Sequence, residues 1–168
     1  MTFTPDPDHV RHALAKRSFA TVATVSERGR PHVAGVLYAL AGDALWFSTD
    51  LDSRKARNLA DDPHIAVDVL VRRIPVGPPS SIHFQSTAEV VDVHDRRLRS
   101  LVDAGELRAI TGHGELDREG VCFVRVALPS RVHTYGIGMS LLHLARHPLE
   151  CAGTTDLRQP GDRAVTAA

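Results

Sequence analysis

The sequence predicts a mainly β protein with flanking α-helices, a β+α fold whose core is a six- or seven-stranded antiparallel barrel. Seven segments have the composition or the alternation of β-strands, short turns join most of them, and one helix separates the third strand from the fourth. No sequence period recurs, so a repeat protein is excluded. A closed barrel leaves no exposed sheet edges, and 168 residues are enough for one domain with a buried core.

The first half of the chain predicts two helices and four strands. Asp6 or Asp8 can cap a first helix that covers one end of the sheet. Tight turns containing glycine then separate three antiparallel strands. These strands cover residues 19–25, 31–40 and 44–50. A helix over residues 53–61 leads to a fourth strand at 64–71, which is apolar enough to be buried on much of both faces.

The second half predicts three strands, two helices and a tail. Residues 72–80 contain three prolines and a glycine, which indicates a loop. Strands are expected at 81–93, 121–128 and 131–137, helices at 94–107 and 140–148, and a loop at 108–120. Residues 154–168 are expected to form a flexible tail, so that one domain covers residues 1–153.

Composition narrows the possible partners and the compartment. The 20 basic residues balance the 20 acidic ones, so no net charge attracts nucleic acid or an anionic membrane. The two cysteines are not paired in a CxxC motif, which favours reduced thiols. The N-terminal segment has no apolar signal region, and no window approaches 18 uninterrupted apolar residues. We therefore expect a soluble, cytoplasmic protein that binds neither nucleic acid nor membrane.

The segment Ser53-Arg54-Lys55 places two cations at the start of the second predicted helix. The first turn of a helix favours acidic side chains, by about 0.3 to 1 kcal/mol, because its free N–H groups carry partial positive charge. A bound anion would reverse the penalty, and a phosphate is the anion that we expect. The alternative is that these cations form solvated ion pairs with Asp50 and Asp52. The residues alone leave both interpretations open.

One stretch of the chain resembles a known family. Residues 18–70 include the segment FATVATVSERGRPHVAGVLYALAGDALWFSTDLDSRKARNLADDPHIAVDV. It resembles the pyridoxamine 5'-phosphate oxidase-like split β-barrel superfamily of flavin- and deazaflavin-dependent oxidoreductases. The likeness continues more loosely through Val93, and from Asp95 onward it lies mainly in the order of elements. The segments ITGHGELD and TYGIGMSLLHLARHPL resemble an actinobacterial subgroup. The implied fold is a split β-barrel.

The resemblance implies a homodimer with two cofactor sites in clefts along the subunit interface. The implied activity is hydride transfer between a bound FMN, or the deazaflavin coenzyme F-420, and a small organic substrate. Both cofactors carry a phosphate beyond a ribityl chain, so the choice between them stays open. F-420 also has an oligoglutamate tail, for which Arg57, Arg72 and Arg73 are candidate partners. Nothing in the last third of the chain reproduces the arginine-rich motif of true pyridoxamine phosphate oxidases, and we do not expect that activity.

The resemblance also assigns residues to the cofactor. The second strand would lie beside the ring, and the small Ala34 and Gly35 would permit close approach. The third strand and the following helix would hold the phosphate. The implied cofactor-binding residues are His32, Val33, Ala34, Gly35, Val36, Ser48, Thr49, Ser53, Arg54, Lys55, Asn58 and Gln85. No catalytic residue is assigned, because the cofactor carries the reaction in this class.

For several other polar residues, a structural role is at least as well supported by the sequence as a role in substrate or metal binding. His83 and Tyr135 lie in predicted strands near loops, where they could face a substrate or serve the core or surface. His143 and His147 have the spacing of a metal pair on a helix but no third ligand, and surface histidines are favoured. The segment around His113 is either a lid or a connector.

Two functions other than turnover remain open at this point. A split barrel can store or deliver a flavin, or bind haem, without catalysis; haem requires an axial ligand, and no candidate stands out in the sequence. A dimeric interaction protein with a decayed site is the third possibility. The intact Ser53-Arg54-Lys55 segment argues against decay.

Overall fold

The computed structural model describes residues 4–71 and 78–157, and within these ranges the chain forms nine β-strands and five α-helices. The elements are α1 (Pro7–Ala15), β1 (Phe19–Val25), β2 (Pro31–Leu37), β3 (Ala39–Ala41), β4 (Ala44–Asp50), α2 (Arg54–Asp61), β5 (His64–Leu70), β6 (Ser81–Val91), α3 (Arg96–Asp103), α4 (Arg108–Thr111), β7 (Val121–Ala127), β8 (Arg131–Tyr135), α5 (Leu141–Arg146) and β9 (Ala152–Asp156). A 3-10 helix at Pro148–Glu150 connects α5 to β9.

Seven strands form a curled antiparallel sheet in the order β2-β1-β5-β6-β7-β4-β3. The long strand β6 pairs with β5 through its first half and with β7 through its second half, so it belongs to both halves of the curl. Strand β8 pairs with the start of β6, and β9 pairs with β8. This arrangement confirms the predicted split β-barrel with flanking helices.

Tyr38 separates the two halves of the barrel. Its backbone N–H donates to the Ser18 carbonyl at 2.8 Å, and its hydroxyl donates to the Leu14 carbonyl in α1 at 2.6 Å. The side chain is fully buried, and desolvation raises the pKa of its phenol well above the ordinary value. Val10 and Leu14 enter the same core, so α1 covers one end of the barrel as expected.

A second hydrophobic core lies on the outer side of β4 and β7. Trp46 and Phe123 project from these strands against Leu98 of α3 and Ile110 of α4. These four side chains are at most 2% exposed. The two short helices therefore cover the outer face of this half of the barrel, whereas the outer face of β1, β2, β5 and β6 has no helix over it in the described part of the chain.

The structure corrects several predicted boundaries. The strand expected at 31–40 is two strands, because the chain changes sheet partner at Tyr38: β2 pairs with β1 and β3 pairs with β4. The helix expected at 94–107 ends at Asp103, and the loop expected at 108–120 begins with α4, whose Ile110 is buried. Pro148 lies outside α5, which ends at Arg146.

The first residues of the tail expected from residue 154 belong to a β-strand. Residues 152–156 form β9, Thr155 is fully buried, and its hydroxyl donates to the Pro5 carbonyl at 3.0 Å. The alternation of buried and half-exposed positions in this strand was hidden by its small, polar residues. The rest of the predicted tail, and most of the predicted 72–80 loop, lie outside the described residues. Among the helices that are described, none is long and apolar enough to cross a membrane.

Candidate functional site

Helix α2 begins with a well-formed cap and no acidic partner. Ser53 is the N-cap, and its Oγ accepts the backbone N–H of Ala56 at 3.2 Å. Thr49, at the end of β4, donates its hydroxyl to the same oxygen at 3.1 Å. The first turn contains no acidic residue, so its partial positive charge and the two cations have no negative partner within the helix.

The ion pairs proposed as an alternative for Arg54 and Lys55 do not form. Asp50 pairs instead with Arg118, with a nitrogen to oxygen distance of 3.3 Å. Within the described residues, neither Arg54 nor Lys55 takes part in an ion pair. The two cations are therefore free to meet an anion from outside the chain.

Arg54 lines a cavity of about 370 Å³ between α2 and the β1–β2 turn, which we call the arginine cavity. It is lined by Ser26, Glu27, Arg28, Arg30, Pro31, His32, Arg54, Arg57, Asn58 and Asp61. None of its four arginines forms an ion pair with any described residue, although two carboxylates lie in the same lining. Unpaired guanidinium groups converging on one concave surface are the donor set that a phosphate or carboxylate requires.

Asn58 fixes the position of α2 on the barrel. It is 5% exposed, and its Nδ2 donates to the hydroxyl of Thr24 in β1 at 2.9 Å. Thr24 pairs in register with His32 of β2, so this bond connects α2 to the strand pair that forms the opposite wall of the cavity. One N–H of the Asn58 amide, which was expected to contact the cofactor, therefore takes part in a structural bond between α2 and β1.

The five candidate residues of β2 divide between the two faces of the strand. His32, Ala34 and Val36 pair with the buried side of β1, whereas Val33 and Gly35 lie on the outer face. Gly35 does permit a close approach, but in this structure the approaching ring is that of Phe19. A Cβ at position 35 would lie 2.6 Å from the ring of Phe19, which is too close for a side chain.

Two adjoining cavities lie on the outer face of the sheet. The histidine cavity, of about 570 Å³, is lined by Thr21, Ala23, Val33, Ala66, Val67, Asp68, His83, Phe84, Gln85, Arg131 and His133. The hairpin cavity, of about 630 Å³, is lined by Ala23, Thr24, Val25, Pro31, His64, Ile65, Ala66, Gln85, Ser86, Thr87 and Pro129. They share Ala23, Ala66 and Gln85, and the hairpin cavity shares Pro31 with the arginine cavity. The three cavities therefore adjoin one another along β2.

Ser48 and Thr49 line a different cavity, of about 360 Å³, which we call the loop cavity. The loop after α4 forms its other wall: the backbone N–H of His113 donates to Glu115 at 2.8 Å, and both side chains line the cavity. This loop therefore packs beside the end of β4.

Lys55 and Cys122 lie near the loop cavity and link it to α2. The Cys122 thiol is 1% exposed and contacts the Thr49 carbonyl at 3.5 Å. Burial raises its pKa, the Asp50 carboxylate raises it further, and the ammonium of Lys55 opposes both. Lys55 is half-buried, and it lines none of the four cavities described above.

The remaining candidates have local roles. The rings of His143 and His147 lie 5.1 Å apart, and no group of three or more metal-ligating residues exists in the described parts of the chain. Tyr135 is half-buried beside a small core formed by Met139, Leu144 and Cys151. His83 is exposed in the histidine cavity, where it stacks on a second histidine.

Sequence reasoning missed Arg28, Arg30, Arg131 and His133 as site residues. Arg28 and Arg30 belong to the β1–β2 turn, and only the folded hairpin brings them to α2. The other two alternate with buried Val132 in β8, which shows that they share its outer face. This alternation was visible in the sequence, but the pairing of β8 with β6 was not. Arg72 and Arg73, the other expected cations, lie outside the described residues.

Comparison with known proteins identifies the family. The sequence profile of pyridoxamine 5'-phosphate oxidase matches residues 6–120. The chain therefore belongs to this family of split β-barrels, as its resemblance implied. Among curated proteins, none matches the sequence.

Solved structures with this fold bind different groups. A haem-binding protein from Mycobacterium smegmatis is similar with a TM-score of 0.69 and 21% identity, over 92% of this chain and 59% of that one. A FAD-binding protein from Mesorhizobium loti gives a TM-score of 0.62 and 16% identity, over 80% and 96%. An F-420 reductase gives 0.50 and 22%, over 70% and 92%. At these identities the likeness shows the fold, and the bound group must be argued from this chain's own residues.

Proposed function

We propose that this protein is a flavin- or deazaflavin-dependent oxidoreductase that transfers a hydride between its bound cofactor and a small organic substrate. The observation that carries the proposal is the arginine cavity, in which four arginines without ion pairs among the described residues surround a concave surface at the start of α2. A cofactor phosphate supplies the missing negative charge.

The cavities on the sheet face suit the rest of such a cofactor. The hairpin cavity adjoins the arginine cavity at Pro31, and its floor includes the small side chains of Ala23 and Ala66. Small residues on a sheet leave a flat surface on which a planar ring can lie, and Gln85 borders it with an amide donor and acceptor. A phosphate on the arginines and a ring on the sheet are therefore compatible with one elongated ligand.

A bound flavin or deazaflavin supplies hydride transfer at its central ring. The residues of this chain would bind and orient it: Arg54 and His32 at the phosphate, Gln85 at the polar edge of the ring, and Val33 against its apolar part. No side-chain nucleophile is needed for this chemistry, and the buried thiols fit that expectation because burial raises the pKa of Cys122.

The net charge of the arginine cavity is compatible with both cofactors. Its four arginines face Glu27 and Asp61 in the same lining, which leaves an excess of two positive charges. A phosphate monoester such as that of FMN carries about −1.5 to −2 charges at pH 7, and the F-420 phosphate together with the carboxylates of its tail would also balance this excess. Both cofactors remain within the proposal, and affinity measurements distinguish them.

We also infer that the protein is a cytoplasmic homodimer that buries the outer face of the sheet. Phe19, Val33, Leu37 and Leu70 lie on this face and are 42 to 62% exposed, although they are large and apolar. A second copy would cover them and enclose the sheet-face cavities. The two free, buried cysteines suit a reducing compartment.

Haem binding without turnover is the second candidate. The histidine cavity offers two exposed imidazoles, His83 and His133, and either has the chemistry of an axial haem ligand. The similar fold of the Mycobacterium smegmatis haem-binding protein supports considering it. The arginine cavity favours the flavin-type function, because it shares no lining residue with the histidine cavity and its four arginines would have no role in holding haem at these histidines.

The deciding experiment is a titration of the cofactor-free protein with FMN, F-420 and haem, followed by fluorescence quenching and haem absorbance. Tight, stoichiometric binding of FMN or F-420, with release on dilution to monomer, is the expected result. Turnover of the reduced cofactor then separates an enzyme from a carrier. Haem binding alone would replace the proposal by the haem candidate, and failure of all three ligands with folded protein would refute both.

A further inference from the structure

We propose that the histidine cavity binds the carboxylate of the substrate through Arg131, His133 and His83, and that the substrate is therefore a small planar carboxylic acid. The inference rests on the proposed function, for which it names a substrate class. It concerns a site separate from the arginine cavity, since the two cavities share no lining residue.

Strand register brings the polar residues of this site into one row. Thr21 of β1 lies opposite Asp68 of β5, which lies opposite His83 of β6. His83 lies opposite His133 of β8, and His133 lies opposite Thr154 of β9. All five side chains lie on the outer face, because their neighbours along each strand point into the barrel. Five strands thus present one continuous row of polar side chains across this face of the sheet.

The two imidazoles are held parallel and have unused hydrogen-bonding capacity. Their ring centroids are 5.7 Å apart and the ring planes differ by 22°. His133 Nδ1 lies 3.3 Å from the Thr154 hydroxyl, which orients the ring and leaves Nε2 for a ligand. The imidazole of His83 makes no hydrogen bond to any described residue. Together they place at least two ring nitrogens at one wall of the cavity.

The guanidinium at this wall has no ion-pair partner in the described ranges. Arg131 forms no ion pair there, although Asp156 of β9 lies opposite it in register. Asp68 also lines the cavity, but it lies beside His83 on the side opposite His133, two strands away from that second ring. A ligand carboxylate would accept hydrogen bonds from the Arg131 guanidinium and from His133, a charge-assisted arrangement.

The remaining lining sets the shape of the ligand. Ala23 and Ala66, where the cofactor ring is proposed to lie, mark the border with the hairpin cavity, and Thr21 and Val33 line the part of the histidine cavity beside them. A volume of about 570 Å³ lies within the usual range for small-molecule sites. A surface of small side chains that ends at an anion-binding wall suits a planar molecule that carries a carboxylate at one end. Because Ala23, Ala66 and Gln85 are shared with the hairpin cavity, this molecule would lie beside the proposed ring of the cofactor.

The test uses benzoate as the probe and benzyl alcohol as its uncharged counterpart. Each is titrated into the cofactor-free, full-length protein while the imidazole resonances of the histidines are followed by NMR. We expect benzoate to shift the His83 and His133 resonances saturably, with an affinity at least tenfold higher than that of benzyl alcohol. Arg131→Gln should weaken benzoate binding at least tenfold, whereas Arg96→Gln, an exposed change on α3, should leave it unaltered.

Three outcomes would overturn the inference: equal affinity for benzoate and benzyl alcohol, unchanged binding in Arg131→Gln, or shifts at His94 and His143 as large as those at the cavity. Arg131→Lys keeps the charge without the planar fork and should retain part of the affinity, which separates charge recognition from loss of the fold. Because the measurement needs no cofactor, it is independent of the FMN and F-420 titrations. Benzoate binding in a protein that binds neither cofactor would refute the proposed oxidoreductase and leave the carboxylate site standing.

Discussion

The arginine cavity and the loop cavity lie on either side of the start of α2, and they differ both in their charged residues and in how those residues are paired. In the loop cavity Asp50 pairs with Arg118 at 3.3 Å and Glu115 lies 3.6 Å from His113. In the arginine cavity four guanidinium groups have no ion pair within the described chain. Charges satisfied within the protein indicate a solvated surface, whereas charges left unpaired at a concave surface indicate a missing ligand. Pairing and charge count together distinguish the candidate site, because four arginines face two carboxylates in the arginine cavity and one arginine faces two carboxylates in the loop cavity.

The largest effect is expected when the cations at the start of α2 are removed and the result is compared with removal of the arginine in the loop cavity. Arg54→Ala combined with Lys55→Ala should weaken binding of the cofactor at least tenfold, which corresponds to about 1.4 kcal/mol or more of charge-assisted contacts. Fluorescence titration with FMN and with F-420 measures the change. The matched control is Arg118→Ala, whose guanidinium is already paired with Asp50. Equal losses in the double variant and the control would remove the distinction between the two cavities.

The second prediction concerns the bond that holds the arginine cavity open. Thr24→Val removes the acceptor of the Asn58 amide, which is 5% exposed, and should lower the free energy of unfolding by about 1 kcal/mol. Urea unfolding followed by circular dichroism gives the value. Thr49→Val, which removes the hydroxyl bond to the capping oxygen of Ser53, is the counterpart beside the loop cavity and should cost less, because Thr49 is half-buried. The reverse order would show that α2 is held mainly by its cap.

The third prediction concerns Cys122, which lies between the two regions. Burial and Asp50 raise the pKa of this thiol, so the folded state holds the proton more tightly than the unfolded chain. This contribution to stability is complete below the unfolded pKa of about 8.5 and is lost as pH rises through the folded pKa. Stability measured from pH 7 to 10 should therefore decline less steeply in Cys122→Ala than in the natural sequence. If the decline of stability with pH is the same in Cys122→Ala, then a group other than the Cys122 thiol is responsible for it.

The smallest expected change in stability comes from removing the Asp50–Arg118 ion pair of the loop cavity. Asp50→Asn removes an exposed ion pair with Arg118 and should change the free energy of unfolding by less than about 0.5 kcal/mol. Denaturant unfolding at low salt provides the measurement. A loss above 1 kcal/mol would mean that the loop cavity depends on its ion pairs for stability, and the contrast with the arginine cavity would then need another explanation.

The sequence predicted an antiparallel barrel with flanking helices because alternation and short turns are local signals, and the family resemblance implied that the barrel is split. The sequence predicted the Ser53 cap because capping depends on neighbouring residues. It did not predict the exchange of sheet partner at Tyr38, which depends on a hydrogen bond to α1. Strand β9 was missed because small polar residues carry a weak β signal.

The candidate site was predictable where it follows the chain and was not where it depends on long-range pairing. The cations of α2 stood out because they contradict a local preference. Arg28 and Arg30 gave no such signal, since a turn accepts arginine readily and only the folded hairpin places them opposite α2. Arg131 and His133 required the register of β8 on β6, which no local pattern supplies.

The contact between the two ends of the described chain has a consequence for the order of folding during synthesis. The hydroxyl of Thr155 bonds to the carbonyl of Pro5, 150 positions away, and the Arg11 guanidinium bonds to the Leu157 carbonyl. Contacts of such high sequence separation carry a large loop-closure cost and form late. On the ribosome, the barrel strands can pair as they emerge, but the first helix cannot complete its contacts until residue 157 has left the exit tunnel. A nascent chain stalled before β9 should therefore expose α1 to proteases, although most of the barrel is already translated.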